Sequence, residues 1–220
     1  YLKAGEENVI TVKVNHQTPS SRWYSGSGIG RNVDLVVTGK VAVAKDGVRV
    51  TSPDLQAQSS GAVTTKLSST VSNSGDADVA VSLSQTVFPK DGSPEQAIGS
   101  ITTQPQTLAA GETKTIESQL EAANPSLWST ESPNLYTVRT EVKVDGQTVD
   151  TYDTTYGYRW FNYDANTGFS LNGQNVKIKG VCMHQDQGAL GSVDSRAAVE
   201  RQVRILKEMG CNSIRTSHNS

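Results

Sequence analysis

The sequence predicts a mainly β protein: an immunoglobulin-like β-sandwich followed by the first βαβ unit of an incomplete (β/α)8 barrel. Apolar and polar residues alternate in several runs between residues 38 and 160, and Asp-Gly turn signals separate them. After residue 160 the apolar period changes from that of strands to that of a helix, and a further strand follows. We therefore expect one whole sandwich and part of a second fold.

The sandwich prediction comes from the apolar positions and the turns between them. The runs at residues 79–87 and 136–144 each have an apolar face at period two, which is typical of strands with one buried side. The predicted turns are Asp46-Gly47, Asn73-Ser74-Gly75, Asp91-Gly92 and Asp145-Gly146. About seven strands in roughly 120 residues fit an immunoglobulin-like sandwich.

Residues 161–220 predict a hairpin, a helix and one further strand. The hairpin turns at Asn172-Gly173, and its second strand extends over residues 176–181. The helix begins after an N-cap at Asp194 or Ser195 and ends before Gly210. Its apolar residues have helical spacing: Val199, Val203, Leu206 and Met209. With the strand at residues 212–215 this is a βαβ unit, which requires a parallel sheet.

Residues 1–37 predict a short β segment and then a glycine-rich loop. Val9, Val12 and Val14 have strand-like patterning, and glycines are closely spaced between Trp23 and Arg31. This segment is too short to bury a core of its own.

Composition excludes several classes of partner. The net charge is −2, and no run of Lys and Arg is interleaved with aromatic residues, so we expect no nucleic acid partner. The apolar runs are too short to span a membrane, and we expect no membrane partner. The two cysteines, Cys182 and Cys211, are predicted to be buried free thiols, because neither has a Cys or His at metal-ligand spacing.

Candidate functional residues follow the two predicted barrel strands. Barrel enzymes place their functional side chains at the carboxyl ends of the strands. His184 follows the first strand, and Arg215 and His218 lie at the end of the second, so we expect both histidines on one rim with Arg215 just inside it. Imidazole and guanidinium groups give directional hydrogen bonds that suit sugar hydroxyls. The alternatives are loop histidines and an arginine in a structural ion pair.

Five regions of the chain, in order, resemble glycoside hydrolase family 2. Asn212–His218 resembles the family signature Asn-x-apolar-Arg-small-small-His, and Gly180–His184 resembles its first barrel strand. The other similar stretches belong to the sugar-binding jelly roll, the immunoglobulin-like domain and the link into the barrel. They are Ser21–Tyr24 with Gly28–Val33, Ser126–Ser129 with Pro133–Tyr136, and Gly157–Arg159 with Phe169–Gly173.

The resemblance implies a retaining hydrolase of terminal β-linked sugars, with β-galactosidase preferred to β-glucuronidase or β-mannosidase. It implies that His184 and His218 contact the glycone and that Arg215 lies near the catalytic carboxylates. Asp186 and Asn219 lie beside them and are weaker candidates, with loop capping as the alternative. The implied domains are a jelly-roll remnant at residues 1–37, the sandwich at 38–160 and the barrel start at 161–220.

The pair of catalytic carboxylates is not expected in this chain. Retaining glycosidases use two carboxyl groups about 5–5.5 Å apart. Beyond residue 160 the glutamates are Glu200 and Glu208, both on the predicted helix, and Asp186 is alone at the rim. We therefore expect the chain by itself to be inactive. Two other classes stay open: a non-catalytic carbohydrate-binding module with Trp128 and Trp160 as an aromatic platform, and a structural spacer.

The resemblance and the composition also lead to expectations about cofactors, partners and location, the last from the Thr/Ser-rich, Cys-poor sandwich. No cofactor is expected in this chain, and the resemblance allows a divalent cation elsewhere in the full-length enzyme. A carbohydrate substrate is the expected partner, and unpaired barrel edges favour a homo-oligomer. A secreted or cell-surface bacterial location is slightly favoured over a cytoplasmic one.

Overall fold

The computed structural model describes residues 3, 5–17, 28–58, 61–184, 187–191 and 193–217. They belong to two compact units, Val36–Lys177 and Tyr1–Leu35 with Ile178–Ser220. None of the helices in these described ranges is long and apolar enough to cross a membrane. The proposed domain borders at residues 37 and 160 stay predictions.

The first unit contains a sandwich of two antiparallel sheets. Its strands are β1 Val41–Thr51, β2 Ala62–Asn73, β3 Val79–Pro89, β4 Gly99–Thr102, β5 Gln106–Leu108, β6 Thr113–Ala123, β7 Tyr136–Val144 and β8 Gln147–Tyr156. One sheet has the order β1-β2-β6, and the other has the order β4-β3-β7-β8 with β5 also paired to β3. The predicted sandwich is confirmed, with eight strands instead of seven.

Alternating apolar residues of the two sheets form the sandwich core. Val81 and Leu83 of β3 and Val142 of β7 are fully buried, as their period-two spacing predicted. The buried residues form two clusters, one that includes Leu67 and one that includes Leu83. Core packing of this kind explains why the runs of alternating residues became strands.

Two of the three Asp-Gly signals inside the sandwich, Asp46-Gly47 and Asp145-Gly146, have different outcomes. Asp145 and Gly146 both have positive φ, 50° and 77°, and form the two-residue turn between β7 and β8, as predicted. The predicted turn at Asp46-Gly47 is wrong, because these residues lie within β1. There the pairing with β2 shifts register between Val43 and Val48, so the extra residues form a bulge instead of reversing the chain.

A three-stranded meander follows the sandwich: β9 Phe161–Asp164, β10 Gly168–Leu171 and β11 Gln174–Asn175. The turn at Asn172-Gly173 is confirmed, with φ of 49° and 81°. The Asn172 side chain accepts a hydrogen bond from the Trp160 backbone N–H and donates one to the Trp128 carbonyl, which fixes the meander to the sandwich.

The second unit contains the predicted βαβ arrangement. Its elements are β12 Gly180–Met183, α1 Arg196–Glu208 and β13 Ser213–Thr216, and β12 and β13 are parallel with Val181 opposite Ile214. The single strand predicted at residues 176–181 is wrong in extent, since β11 ends at Asn175 and β12 begins at Gly180. The two strands pair with different sheets, so the backbone between them leaves the ladder. A homo-oligomer formed through the edges of this strand pair stays a prediction.

Helix α1 ends as its sequence predicted. Ser195 is the N-cap residue, and Gly210 after the last turn has φ of 87°. The Cys211 N–H donates to the Leu206 carbonyl at 3.0 Å, and the Gly210 N–H donates to the Lys207 carbonyl at 2.9 Å. These two bonds form a Schellman motif, which satisfies carbonyls at the helix end.

We expect Gly210→Ala to destabilise the helical unit by about 1 kcal/mol, because alanine is strained at positive φ. Gly210→Asn is the matched control, since asparagine tolerates this conformation better. Urea unfolding followed by far-ultraviolet circular dichroism measures both variants. An equal loss in the two variants would contradict the role assigned to the left-handed backbone.

The predicted strand near the N-terminus is wrong for the described residues 5–17. These residues form no strand, and Val9, Val12 and Val14 are exposed. An isolated extended segment is not stable without hydrogen-bonded neighbours. Within the described part of the chain, residues 5–17 have no strand partner, so patterning alone was insufficient.

Candidate functional site

The candidate site lies where the two parallel strands β12 and β13 end, at the carboxyl edge of the pair. His184 follows the end of β12, and Ser217 follows the end of β13. The Ser217 N–H donates to the Met183 carbonyl at 3.0 Å, so the ladder continues to the rim. His184 is exposed, and it follows the carboxyl end of its strand as the sequence predicted.

Arg215 lies beside the first strand, one position before the end of β13. It is directly opposite Cys182 in the ladder, so the two side chains project from the same face of the strand pair. Its Nη1 donates to Ser217 Oγ at 3.3 Å and to Cys182 Sγ at 3.7 Å. The salt bridges of the described residues do not include Arg215, and the structural ion-pair alternative stays open because Asp186 lies outside these residues.

The other three predicted site residues, His218, Asp186 and Asn219, lie outside the described residues. The structure therefore brings His184 and Arg215 to neighbouring strand ends. The convergence of the two histidines stays a prediction.

Three carboxylates of this unit lie just before the helix or on it. Asp194 pairs with Arg31 at 3.0 Å, and Glu200 pairs with Arg204 at 2.8 Å on α1. Glu208 is the last residue of α1. The expectation that this chain lacks a pair of catalytic carboxyl groups stays a prediction, because Asp186 lies outside the described residues.

Two sequence models of one family cover most of the chain. Residues 46–159 match the model described as glycosyl hydrolases family 2, and residues 165–219 match the TIM barrel domain of the same family. The chain belongs to glycoside hydrolase family 2. The predicted family, sandwich and barrel start are thus confirmed.

Similar family 2 proteins include enzymes that act on different sugars. The whole chain is 40% identical over 220 residues to a β-galactosidase from Bacteroides ovatus and covers 25% of it. A β-glucuronidase from Bacteroides fragilis is 36% identical over 95 residues, which are 43% of this chain and 14% of that protein. The chain thus spans a quarter or less of the length of these curated relatives.

Solved structures of the family have the same fold over most of the chain. A family 2 member from Bacteroides cellulosilyticus has a TM-score of 0.80 and 32% identity, over 90% of this chain and 26% of that one. Bacteroides uniformis β-glucuronidase has a TM-score of 0.73 and 28% identity, over 82% of this chain and 22% of that one.

The cysteine prediction is half right. Both cysteines are free thiols, but Cys182 is exposed and Cys211 is only partly buried. Cys182 projects from the same face of the strand pair as Arg215, and both side chains are exposed. The described residues contain no group of three or more metal-ligating side chains able to hold a metal ion. A divalent cation elsewhere in a full-length family 2 enzyme stays a prediction.

Trp128 and Trp160 do not form an exposed aromatic platform. Both are partly buried, and the Arg159 guanidinium carbon lies 5.2 Å from the centre of the Trp128 ring. Trp160 packs against the sandwich core. The Trp160 ring also lies against Gly173 of the meander, and the Trp128 backbone carbonyl accepts a hydrogen bond from Asn172.

Sequence reasoning missed Cys182 and Ser217 as partners of Arg215. Period two places Ser217 on the same face as Arg215, and the parallel register places Cys182 there too. Once the strand at residues 212–215 was predicted, the shared face of Arg215 and Ser217 could have been derived from the sequence. The register of the two strands, which decides the contact, could not.

Proposed function

We propose that this chain forms the immunoglobulin-like domain and the beginning of the barrel of a retaining β-glycosidase, of the β-galactosidase type. The observation that carries the proposal is the parallel pair β12–β13, which has His184 and Arg215 at neighbouring carboxyl ends. Barrel enzymes bind substrates at this edge. The 40% identity to the B. ovatus β-galactosidase over the whole chain supports the same substrate class.

In the proposed site this chain contributes recognition of the glycone. His184 and His218 hydrogen-bond sugar hydroxyls, and Arg215 donates to oxygen acceptors near the reacting carbon. Asp186 and Asn219 are outer contacts of the same rim. The nucleophile and the acid/base of a retaining mechanism are two further carboxyl groups, which other strands of the barrel supply.

β-Glucuronidase is the second candidate, and one observation favours it. Arg215 is exposed, and its two hydrogen-bond partners are neutral. Among the described residues Arg215 has no carboxylate partner, and a guanidinium group in this setting suits a substrate carboxylate such as that of a uronic acid. The B. fragilis and B. uniformis relatives are named as β-glucuronidases.

By itself the chain is expected to hydrolyse neither an aryl β-galactoside nor an aryl β-glucuronide. The physical reason is the absence of paired carboxyl groups at the described strand ends. Release of the aryl group is measured with purified chain and with an identically purified Arg215→Ala variant. Turnover by the chain that Arg215→Ala abolishes would contradict this expectation.

A chimera tests the proposed function directly. This chain replaces the matching segment of the B. ovatus β-galactosidase, which is 40% identical over 220 residues. We expect the chimera to cleave an aryl β-galactoside. His184→Ala and Arg215→Ala in the chimera should each lower kcat/KM by about 10²–10³, the usual cost of losing a donor that acts in the transition state.

The matched control in the chimera is Arg204→Ala. Arg204 is an exposed residue of α1 that pairs with Glu200, so its loss should leave kcat/KM unchanged. A folded but inactive chimera would contradict the β-galactosidase proposal, and activity on an aryl β-glucuronide alone would favour the second candidate. Full activity of His184→Ala and Arg215→Ala would show that these residues do not contribute to the active site.

A further inference from the structure

Two neutral acceptors bind one end of the Arg215 guanidinium. Cys182 Sγ lies 3.7 Å and Ser217 Oγ lies 3.3 Å from the same nitrogen, Nη1. A guanidinium Nη carries two hydrogens. Nη1 thus has two acceptors for its two hydrogens within the protein.

The other donors of the Arg215 guanidinium are Nε and Nη2. Nε and Nη2 have no hydrogen-bond partner among the described residues, and the side chain is exposed. These two nitrogens form the side-on fork of the guanidinium, whose parallel N–H groups match two oxygen acceptors at once. Among the described residues, the bidentate edge of Arg215 is therefore available.

The two acceptors differ in how firmly they are placed. Ser217 is only 3% exposed, and its backbone N–H is bonded to the Met183 carbonyl, so its hydroxyl is a fixed point. Cys182 is held opposite Arg215 by the parallel ladder. Neither acceptor carries a formal charge, so neither neutralises the guanidinium as a carboxylate would. The arginine is oriented while its charge remains available to a ligand.

We propose that Cys182 and Ser217 are positioning residues for Arg215. They hold Nη1 so that the Nε and Nη2 fork is presented to a pair of oxygen acceptors on the glycone, either neighbouring hydroxyls or a carboxylate. Orienting a long side chain before binding reduces the entropy that binding would otherwise cost. The identity of the ligand rests on the proposed function, whereas the orientation of the fork can be measured without any ligand.

The test measures the mobility of the Arg215 Nε–Hε bond by nitrogen-15 relaxation in the unliganded chain. Arg215→Lys identifies the resonance by its disappearance. We expect an order parameter above about 0.6 in the unmodified chain and well below it in Cys182→Val and in Ser217→Ala. Cys182→Asn should retain the higher value, because its amide oxygen is an acceptor of similar reach. Arg204 on α1 is the internal control, and its order parameter should be the same in every variant.

A second measurement avoids any change to the strand sequence. Iodoethane alkylates the exposed Cys182 thiol in a Cys211→Ser background, and the added ethyl group, which brings no acceptor, should displace Nη1 and lower the Arg215 order parameter as Cys182→Val does. The proposal would be overturned if the Arg215 order parameter of the unmodified chain were as low as that expected for Cys182→Val. It would also be overturned if Cys182→Val, Ser217→Ala and alkylation all left the order parameter unchanged.

Failure of this inference is distinguishable from failure of the proposed function. An ordered fork in the chain, together with full activity of Arg215→Ala in the chimera, would leave the positioning correct and the function wrong. A mobile fork in a chimera whose activity depends on Arg215 would leave the function correct and the positioning wrong.

Discussion

Tyr158→Ala is expected to lower the free energy of unfolding of the sandwich by about 3–5 kcal/mol. Tyr158 is 0% exposed, and its ring packs edge-on against Tyr136 and Tyr156 at centroid distances of 5.3 and 4.9 Å. Its hydroxyl is hydrogen-bonded to Thr65 Oγ1 at 2.9 Å. The truncation removes the ring from the core and leaves a cavity beside residues of both sheets.

Chemical denaturation measures this loss, with Tyr163→Ala as the matched control. Tyr163 lies on β9 and is 70% exposed, so its truncation should change the free energy of unfolding by about 0.5 kcal/mol or less. A similar loss in both variants would show that ring burial is not the cause.

Tyr158→Phe separates the hydroxyl from the ring. It keeps the packing but removes the partner of the buried Thr65 hydroxyl, whose other contact is the Val63 carbonyl at 3.4 Å. We expect a loss of about 1–2 kcal/mol, part of which Thr65→Val should restore by removing the unpaired hydroxyl.

The same substitution predicts a pH dependence. Burial raises the pKa of Tyr158 to about 12, although the hydrogen bond with Thr65 acts in the opposite direction. In the unfolded chain tyrosine ionises near pH 10. The neutral folded form is therefore fully favoured below pH 10, and its stability is lost as pH rises from 10 towards 12. The stability of Tyr158→Phe should fall less steeply in that window, and an identical slope would contradict the assignment.

The fold was predictable where one local period decides the structure. Val81 and Leu83 are buried as expected, and α1 ends at the predicted Gly210. Strand partners are not a local property. Asp46-Gly47 and Asp145-Gly146 are the same dipeptide, yet only the second reverses the chain, because the residues on both sides of the first pair with the same strand β2.

The candidate site shows the same division. The position of His184 after β12 follows from where the strand ends, which the sequence indicates. The contact between Arg215 and Cys182 depends on strand register, which the sequence does not specify.

The alternating apolar pattern of the sandwich strands is interrupted by polar residues at Gln85 of β3 and Thr140 of β7. These two residues are opposite each other in the sheet, so the interruptions mark a polar layer in the core.

This polar layer consists of four side chains, one each from β2, β3, β6 and β7. Gln85 Nε2 donates to Ser69 Oγ at 3.0 Å and to Thr140 Oγ1 at 3.2 Å, and the Ser118 hydroxyl donates to Gln85 Oε1. Ser69, Gln85 and Thr140 are fully buried. Along each strand the layer lies between the residues of the two apolar clusters.

Gln85→Ala is expected to lower the free energy of unfolding by about 3–5 kcal/mol. It leaves three hydroxyl groups without their shared partner, each at a cost of about 1–3 kcal/mol when buried, and it opens a cavity between the sheets. Gln119→Ala on the exposed face of β6 is the matched control and should change the free energy of unfolding by about 0.5 kcal/mol or less. Urea unfolding measures both.

Replacing the whole layer distinguishes unpaired polar groups from lost volume. Gln85→Leu combined with Ser69→Ala, Ser118→Ala and Thr140→Val leaves no buried polar side chain to be satisfied, so this variant should be much more stable than Gln85→Ala alone. An equal loss in the two variants would mean that the cavity, and not the hydroxyl groups, determines the cost. If the apolar variant is stable but its backbone amides exchange faster in β3 and β7, the layer serves to fix the alignment of the sheets, since apolar contacts are less directional than the hydrogen bonds they replace.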